Sequence, residues 1–118
     1  MLYELALPKL IANMSEARVE AVLVKEGEAP QAGKLIDLSV DLGAAAAQAC
    51  PPISYYRLVT REKVRLLRLL VAPGATCAPG APLALFADDP GEDANAVPAR
   101  ALRASAAAIL WRPDMWSA

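Results

Sequence analysis

The residues that could carry chemistry in this chain are few, and histidine is absent from all 118 positions. Without an imidazole, neither a Ser-His-Asp triad nor a Cys-His pair can be assembled within one chain, and metal sites built on histidine are excluded. The two cysteines, Cys50 and Cys77, are too few for a disulfide framework. No acid/base or nucleophile-base pair stands out among the remaining residues. We therefore predict no catalytic residues, no metal site and no enzymatic activity.

Length and charge narrow the class of protein further. The chain carries 12 Lys+Arg against 13 Asp+Glu, a net charge of -1, so it has no overall field to steer it to nucleic acid or anionic lipid. Charged residues interrupt every apolar stretch well before the roughly 20 residues that a membrane span needs. The first residues lack the basic start of a secretory signal. We expect one domain in the cytoplasm that binds neither nucleic acid nor membrane.

An internal repeat predicts how the elements are arranged. The segment 19–27, VEAVLVKEG, aligns with 66–74, LLRLLVAPG, at an offset of 47 residues, and LIDL at 35–38 then aligns with PLAL at 82–85. Glycines bound the turn in both halves: Gly27, Gly33, Gly74 and Gly80. Because glycine adopts positive φ without a steric cost, each half predicts a strand, a turn and another strand. Neither half can bury its apolar face alone, which predicts a β-sandwich or flattened barrel of two quasi-twofold-related halves. Two similar hairpins in an unrelated small sheet protein are the alternative.

Residues 7 to 27 resemble the opening of the lipoyl domains of 2-oxo acid dehydrogenase acyltransferase subunits. The segment reads LPKLIANMSEARVEAVLVKEG, and it aligns with that family without a gap. The residues that match the family pattern are Leu7, Pro8, Leu10, Met14, Glu16, Val19 and 23–27. With the second glycine turn and PLALF at 82–86, the resemblance extends over about residues 5 to 87. It implies an all-β fold over residues 1–88, the lipoyl/biotinyl-like flattened β-barrel known as the barrel-sandwich hybrid.

The position that carries the cofactor in that family differs here. The family presents Asp-Lys-Ala in a tight hairpin, and that lysine carries lipoyl or biotin. In this chain the corresponding strand ends in Asp41-Leu42-Gly43, and Leu42 has no amine that could form the amide bond. The hairpin loop is also enlarged, over 41–53, where an alanine run before two prolines favours a short helical turn or a loop. We expect no cofactor.

The other reactive and charged residues have simpler interpretations. Only Lys63 lies near another predicted hairpin tip, and it lacks a flanking Asp, so we expect a solvated turn. Cys77 takes the place in the repeat that Pro30 has in the first half, which predicts a small buried hydrophobe. Cys50, in the enlarged loop, is the more accessible thiol; a passive residue is expected, with a thioester or redox adduct as the alternative.

A cluster of basic residues lies beside two tyrosines. It comprises Arg57, Arg61, Lys63, Arg65 and Arg68, next to Tyr55 and Tyr56. Basic residues interleaved with aromatics can bind single-stranded nucleic acid. A solvated strand face that discourages edge pairing is the interpretation we favour, because the chain as a whole is not basic.

The end of the chain differs from the repeat. Residues 89–97 are acidic and rich in turn formers, which indicates a linker. In 98–118, Pro98 suits the first turn of a helix and the alanine-rich run after it favours helix, so we predict a short C-terminal helical docking tail. Its large apolar residues should pack against the chain's own barrel, a second copy or another protein: Leu102, Ile109, Trp111 and Trp116.

These features favour a binding module over an enzyme. The leading interpretation is an unmodified lipoyl-like domain that serves as a noncovalent protein-interaction or regulatory module of a multienzyme complex. The first alternative is a carrier component of a 2-oxo acid dehydrogenase or carboxylase-type system that is modified at a different residue. The second is a structural assembly subunit. In each case the expected partner is a protein or the chain itself, as a homodimer.

Overall fold

A computed structural model describes residues 1–10, 14–41, 53–89, 91 and 97–109. Most of these residues lie in strands, and the only helical element among them is a short 3-10 turn at Gln31–Gly33. The strands are β1 (Leu2–Ala6), β2 (Ala17–Val22), β3 (Lys34–Asp41), β4 (Ile53–Thr60), β5 (Arg65–Leu69), β6 (Thr76–Cys77), β7 (Pro82–Ala87), β8 (Arg100–Ala101) and β9 (Ala104–Ile109). The mainly β structure predicted from the sequence is therefore confirmed. In the described ranges no helix is long and apolar enough to cross a membrane.

The strands form two sheets. One has four strands in the order β5-β7-β1-β8, and the other has five in the order β6-β2-β3-β4-β9. Neighbours are antiparallel except β1 and β8, which are parallel. Both sheets contribute fully buried side chains to one hydrophobic cluster, among them Leu5, Leu66, Leu83, Phe86, Val19, Leu35, Leu38 and Leu58. The main core therefore joins the two sheets.

The internal repeat recurs in the backbone hydrogen bonds. The Gly27 amide donates to the Leu66 carbonyl at 2.7 Å, and at the offset of 47 the Gly74 amide donates to the Val19 carbonyl at 2.7 Å. Each glycine turn thus pairs with the first strand of the other half. The glycines that bound both turns have positive φ, as predicted: 87° at Gly27, 73° at Gly33, 94° at Gly74 and 90° at Gly80.

After the glycine turn of each half, equivalent residues of the two halves are 48 positions apart in the sequence rather than 47. The Leu23 amide donates to the Leu35 carbonyl, and its counterpart at Leu70 donates to the Leu83 carbonyl. The expected alignment of Leu35 with Pro82 is therefore wrong by one residue. The shift has a physical reason, because it places Leu83, which is fully buried, where Leu35 lies in the first half, and leaves Pro82 exposed at the start of the strand.

Residues 100–109 do not form the predicted helix. Arg100–Ala101 pairs with β1, and Ala104–Ile109 pairs with β4 from Thr60 to Tyr55. The helix preference of alanine is small for each residue and is readily overridden by tertiary context. Here strand pairing satisfies the backbone groups along β4, which would otherwise be a sheet edge. We call residues 97–109 the strap, because they connect the edges of both sheets.

Candidate functional site

The hairpin of β3 and β4 corresponds to the element in which lipoyl domains, which residues 7–27 resemble, hold their cofactor. The two strands pair from Lys34 opposite Val59 to Asp41 opposite Ile53. Residues 42–52 connect them and lie outside the described residues, so the expectations for Leu42, for Cys50 and for the short helical turn stay predictions. The sequence has no lysine in this connection. Lys34 lies at the opposite end of β3, about 23 Å from Asp41 along the strand.

An open groove of about 380 Å³ lies on the outer face of the five-stranded sheet, next to this hairpin end. The Ser39 hydroxyl donates to the Glu20 carboxylate at 2.7 Å, and the Arg18 guanidinium is 4.0 Å from the same oxygen. Carboxylates outnumber the single arginine, since Glu16 and Asp41 also line the groove. Ile53 contributes an apolar margin and is 39% exposed. The groove therefore offers an acidic wall with an exposed apolar side chain at its margin.

A buried ion pair fixes the register of the hairpin. The Arg57 guanidinium donates to both Asp37 oxygens, from Nε at 2.7 Å and from Nη2 at 3.0 Å. The Asp37 side chain is only 3% exposed and that of Arg57 is 28% exposed. The hydrogen bond to Asp37 raises the pKa of Arg57 above its usual value. These two residues face each other directly on β3 and β4, so a shift in register would separate them.

This pair corrects the sequence-based prediction that Arg57 belongs to a solvated basic cluster. Its guanidinium is instead engaged by Asp37, and Tyr56 packs against the core. The other basic members of the cluster are exposed: Arg61, Lys63, Arg65 and Arg68. The solvated-turn interpretation of Lys63 agrees with its exposure. A signal was available, since Asp37 and Arg57 are the charged residues within otherwise apolar runs on the two strands of the hairpin.

The strap is held to the rest of the fold by residues at the end of β4 and directly after it. The Glu62 carboxylate accepts hydrogen bonds from the Arg100 guanidinium and from the Arg103 amide, the latter at 2.8 Å. The Thr60 hydroxyl donates to the Arg103 carbonyl at 2.7 Å. The hydrogen bond from Arg100 lowers the pKa of Glu62 and raises that of Arg100. Polar contacts thus fix the point where the strap passes from one sheet to the other.

The same arginine also connects to the first strand. The Arg100 guanidinium lies over the Tyr3 ring, 4.4 Å from its centre, a cation–π geometry. The Tyr3 hydroxyl donates to Asp88 Oδ2 at 2.7 Å, and the Met1 amine donates to Asp88 Oδ1 at 2.6 Å. The hydrogen bond to Asp88 raises the pKa of Tyr3, and the Met1 amine is the main cause of a lowered pKa at Asp88. Charge is therefore balanced locally at this corner.

The four apolar residues that were expected to pack against protein lie in different environments. Leu102 belongs to the core cluster and is 6% exposed, so it docks on its own sheets. Ile109 is half-buried at the end of β9, opposite Tyr55. Trp111 and Trp116 lie outside the described residues. Cys77 is half-buried and packs against the core, and no metal-binding group of three or more His, Cys, Asp or Glu exists within the part of the chain that the structure describes.

No protein-family model matches the chain, and no curated protein or solved structure matches it either. The informative features are the hairpin end, the acidic groove beside it and the strap.

Proposed function

We propose that this chain is an unmodified lipoyl-like domain, with a flattened barrel-sandwich hybrid of two quasi-twofold-related halves. It serves as a noncovalent protein-interaction or regulatory module of a multienzyme complex. The likeness of residues 7 to 27 to lipoyl domains supports this proposal. So do the reciprocal hydrogen bonds of Gly27 and Gly74, which relate the two halves.

One observation carries the proposal: β3 ends at Asp41, where the related family has its Asp-Lys pair, and no lysine follows before β4 begins at Ile53. Attachment of lipoyl or biotin requires a primary amine, and the connection between β3 and β4 offers none. The remaining capacity of such a domain is recognition through its surface. The module then occupies the place of a carrier domain without carrying a group.

The groove beside the hairpin end is the surface we assign to this recognition. Its acidic wall, with Glu16, Glu20 and Asp41, suits a partner segment that is basic. Ile53 adds an exposed apolar side chain at the margin, and apolar anchors surrounded by polar groups are typical of interaction sites. An enzyme that acts on true carrier domains has to approach them at this end, because their cofactor is attached there.

Titration of the purified chain into the enzymes of a lipoyl-dependent 2-oxo acid dehydrogenase complex tests this function. We expect calorimetry to detect binding, and we expect the chain to compete with a lipoylated domain. Ile53→Ser should weaken binding by about tenfold, a typical effect of losing one apolar anchor. Leu70→Ser is the matched control, because Leu70 is 40% exposed and Ile53 is 39% exposed.

Two outcomes would contradict the proposal. If the unaltered chain binds none of these enzymes at several hundred micromolar, it is not a module of such a complex. If Leu70→Ser weakens binding as much as Ile53→Ser does, recognition does not use the hairpin end.

A further inference from the structure

Three of the four sheet edges are short or covered. Along β5, the Leu66 amide donates to the Glu28 carbonyl at 2.9 Å, and the Leu69 amide donates to the Glu26 carboxylate at 2.8 Å. The edge strands β6 and β8 have two residues each. Short strands and covered backbones are the usual ways in which proteins prevent edge-to-edge association. These three edges therefore offer little to another strand.

Among the residues that the structure describes, none of these protections is found at the fourth edge, β9. It pairs with β4 over six residues, Ala104 to Ile109, without a register shift. Its sequence, ASAAAI, contains no charged residue and no proline, and five of the six residues are exposed. On the side away from β4, no strand pairs with it among the described residues. An extended, regular and uncharged edge is a template for another strand.

We propose that β9 pairs antiparallel with β9 of a second copy of this chain, so that two five-stranded sheets become one sheet of ten strands. A twofold axis normal to the sheet relates the copies, which keeps paired side chains on the same face. The axis then lies between the two strands, midway between one residue and the same residue of the second copy. Ala106 and Ala107 are the central residues of β9, and their methyl groups allow this close approach.

Charge favours a second copy over a charged peptide as the occupant. An uncharged edge has nothing to select an acidic or basic segment, whereas it is complementary to itself. Antiparallel pairing also separates the two Arg103 side chains, which precede β9, by about 20 Å or more along the strands. Each copy carries a net charge of only -1, so mutual repulsion is weak. The interface needs no other protein and is independent of the proposed binding to an enzyme complex.

Sedimentation of the full chain over a range of concentrations tests the inference. The mass should rise from 12.4 kDa toward twice that value. Ala107→Lys and Ala107→Glu should each raise the Kd of the dimer by about tenfold or more, because like charges then face each other across the axis. An equimolar mixture of the two variants should restore the dimer. Ala72→Lys is the control of equal charge, since Ala72 is exposed in the turn beside β2, at the other side of this sheet.

The mixing experiment separates loss of pairing from loss of folding, because a misfolded variant would not be rescued by its oppositely charged counterpart. A chain that stays at 12.4 kDa at several hundred micromolar would overturn the inference. So would a dimer that Ala107→Lys leaves intact, since its interface would then lie elsewhere. In either case, binding to the enzyme complex would remain a separate result.

Discussion

Replacing Arg57 with leucine should destabilise the fold far more than replacing Arg18, which also lies on the outer face of the five-stranded sheet. Arg57 holds both oxygens of Asp37, and the Asp37 side chain is 3% exposed. Without the guanidinium, that carboxylate has no cation and little access to water. A buried carboxylate without a compensating cation lowers the free energy of unfolding.

The magnitude follows from the burial of the pair. Removal of one partner from a buried ion pair costs about 3 to 5 kcal/mol, and the 28% exposure of Arg57 places the loss near the lower end. We therefore expect a loss of about 3 kcal/mol, equivalent to a fall in Tm of roughly 10 to 20 °C for a domain of this size. Arg57→Lys keeps the charge but loses the two-pronged hydrogen bond, so about 1 to 2 kcal/mol should be lost.

Urea unfolding followed by circular dichroism measures these losses. Arg18→Leu is the control, because the Arg18 side chain is 63% exposed and lies 4.0 Å from Glu20; it should cost about 1 kcal/mol at most. Changing Asp37 and Arg57 together to leucine should recover much of the loss, since no buried charge remains. If Arg57→Leu costs no more than Arg18→Leu, the pair does not hold the hairpin as described.

The remaining predictions concern the strap and the first turn. Arg100 lowers the pKa of Glu62 below 4.5, so the contribution of Glu62 to the free energy of unfolding is complete above that pH and is lost as the pH falls below it. Thermal melts at a series of pH values should therefore show a steeper loss of stability in acid for the native chain than for Glu62→Gln. Parallel curves would disprove the contact. Gly33→Ala should destabilise more than Gly27→Ala, by about 1 kcal/mol or more in denaturant titrations. Both glycines have positive φ, but only at Gly33 would a Cβ overlap the Thr60 carbonyl, and equal losses would contradict that close approach.

The sequence predicted the repeat because its signals are local. Glycines at Gly27 and Gly74 are needed for positive φ, and the apolar runs beside them form the strands. The sequence does not indicate the one-residue shift before Leu83, because neighbouring residues in a short apolar run are similarly hydrophobic. Only burial distinguishes Pro82 from Leu83, and burial depends on the partner sheet.

The strap and the polar contacts that hold it could not be read from the sequence. Its alanines favour helix weakly, while the free edge of β4 that overrides this preference lies more than 40 residues earlier in the chain. Glu62 and Arg100 are similarly distant in sequence, and only the crossing of the strap between the sheets brings them together. The sequence groups Arg57 with its neighbours rather than with Asp37, because the residue that faces Arg57 depends on the register of the hairpin.

The intact mass of the chain purified from its native host tests the central claim most directly. We predict the mass of a polypeptide that carries no lipoyl or biotinyl group, because the connection between Asp41 and Ile53 contains no lysine. A mass increased by a lipoyl or biotinyl group would contradict the claim. Peptide mapping would then identify the modified residue, and the chain would be a carrier that uses an attachment site different from that of the lipoyl family.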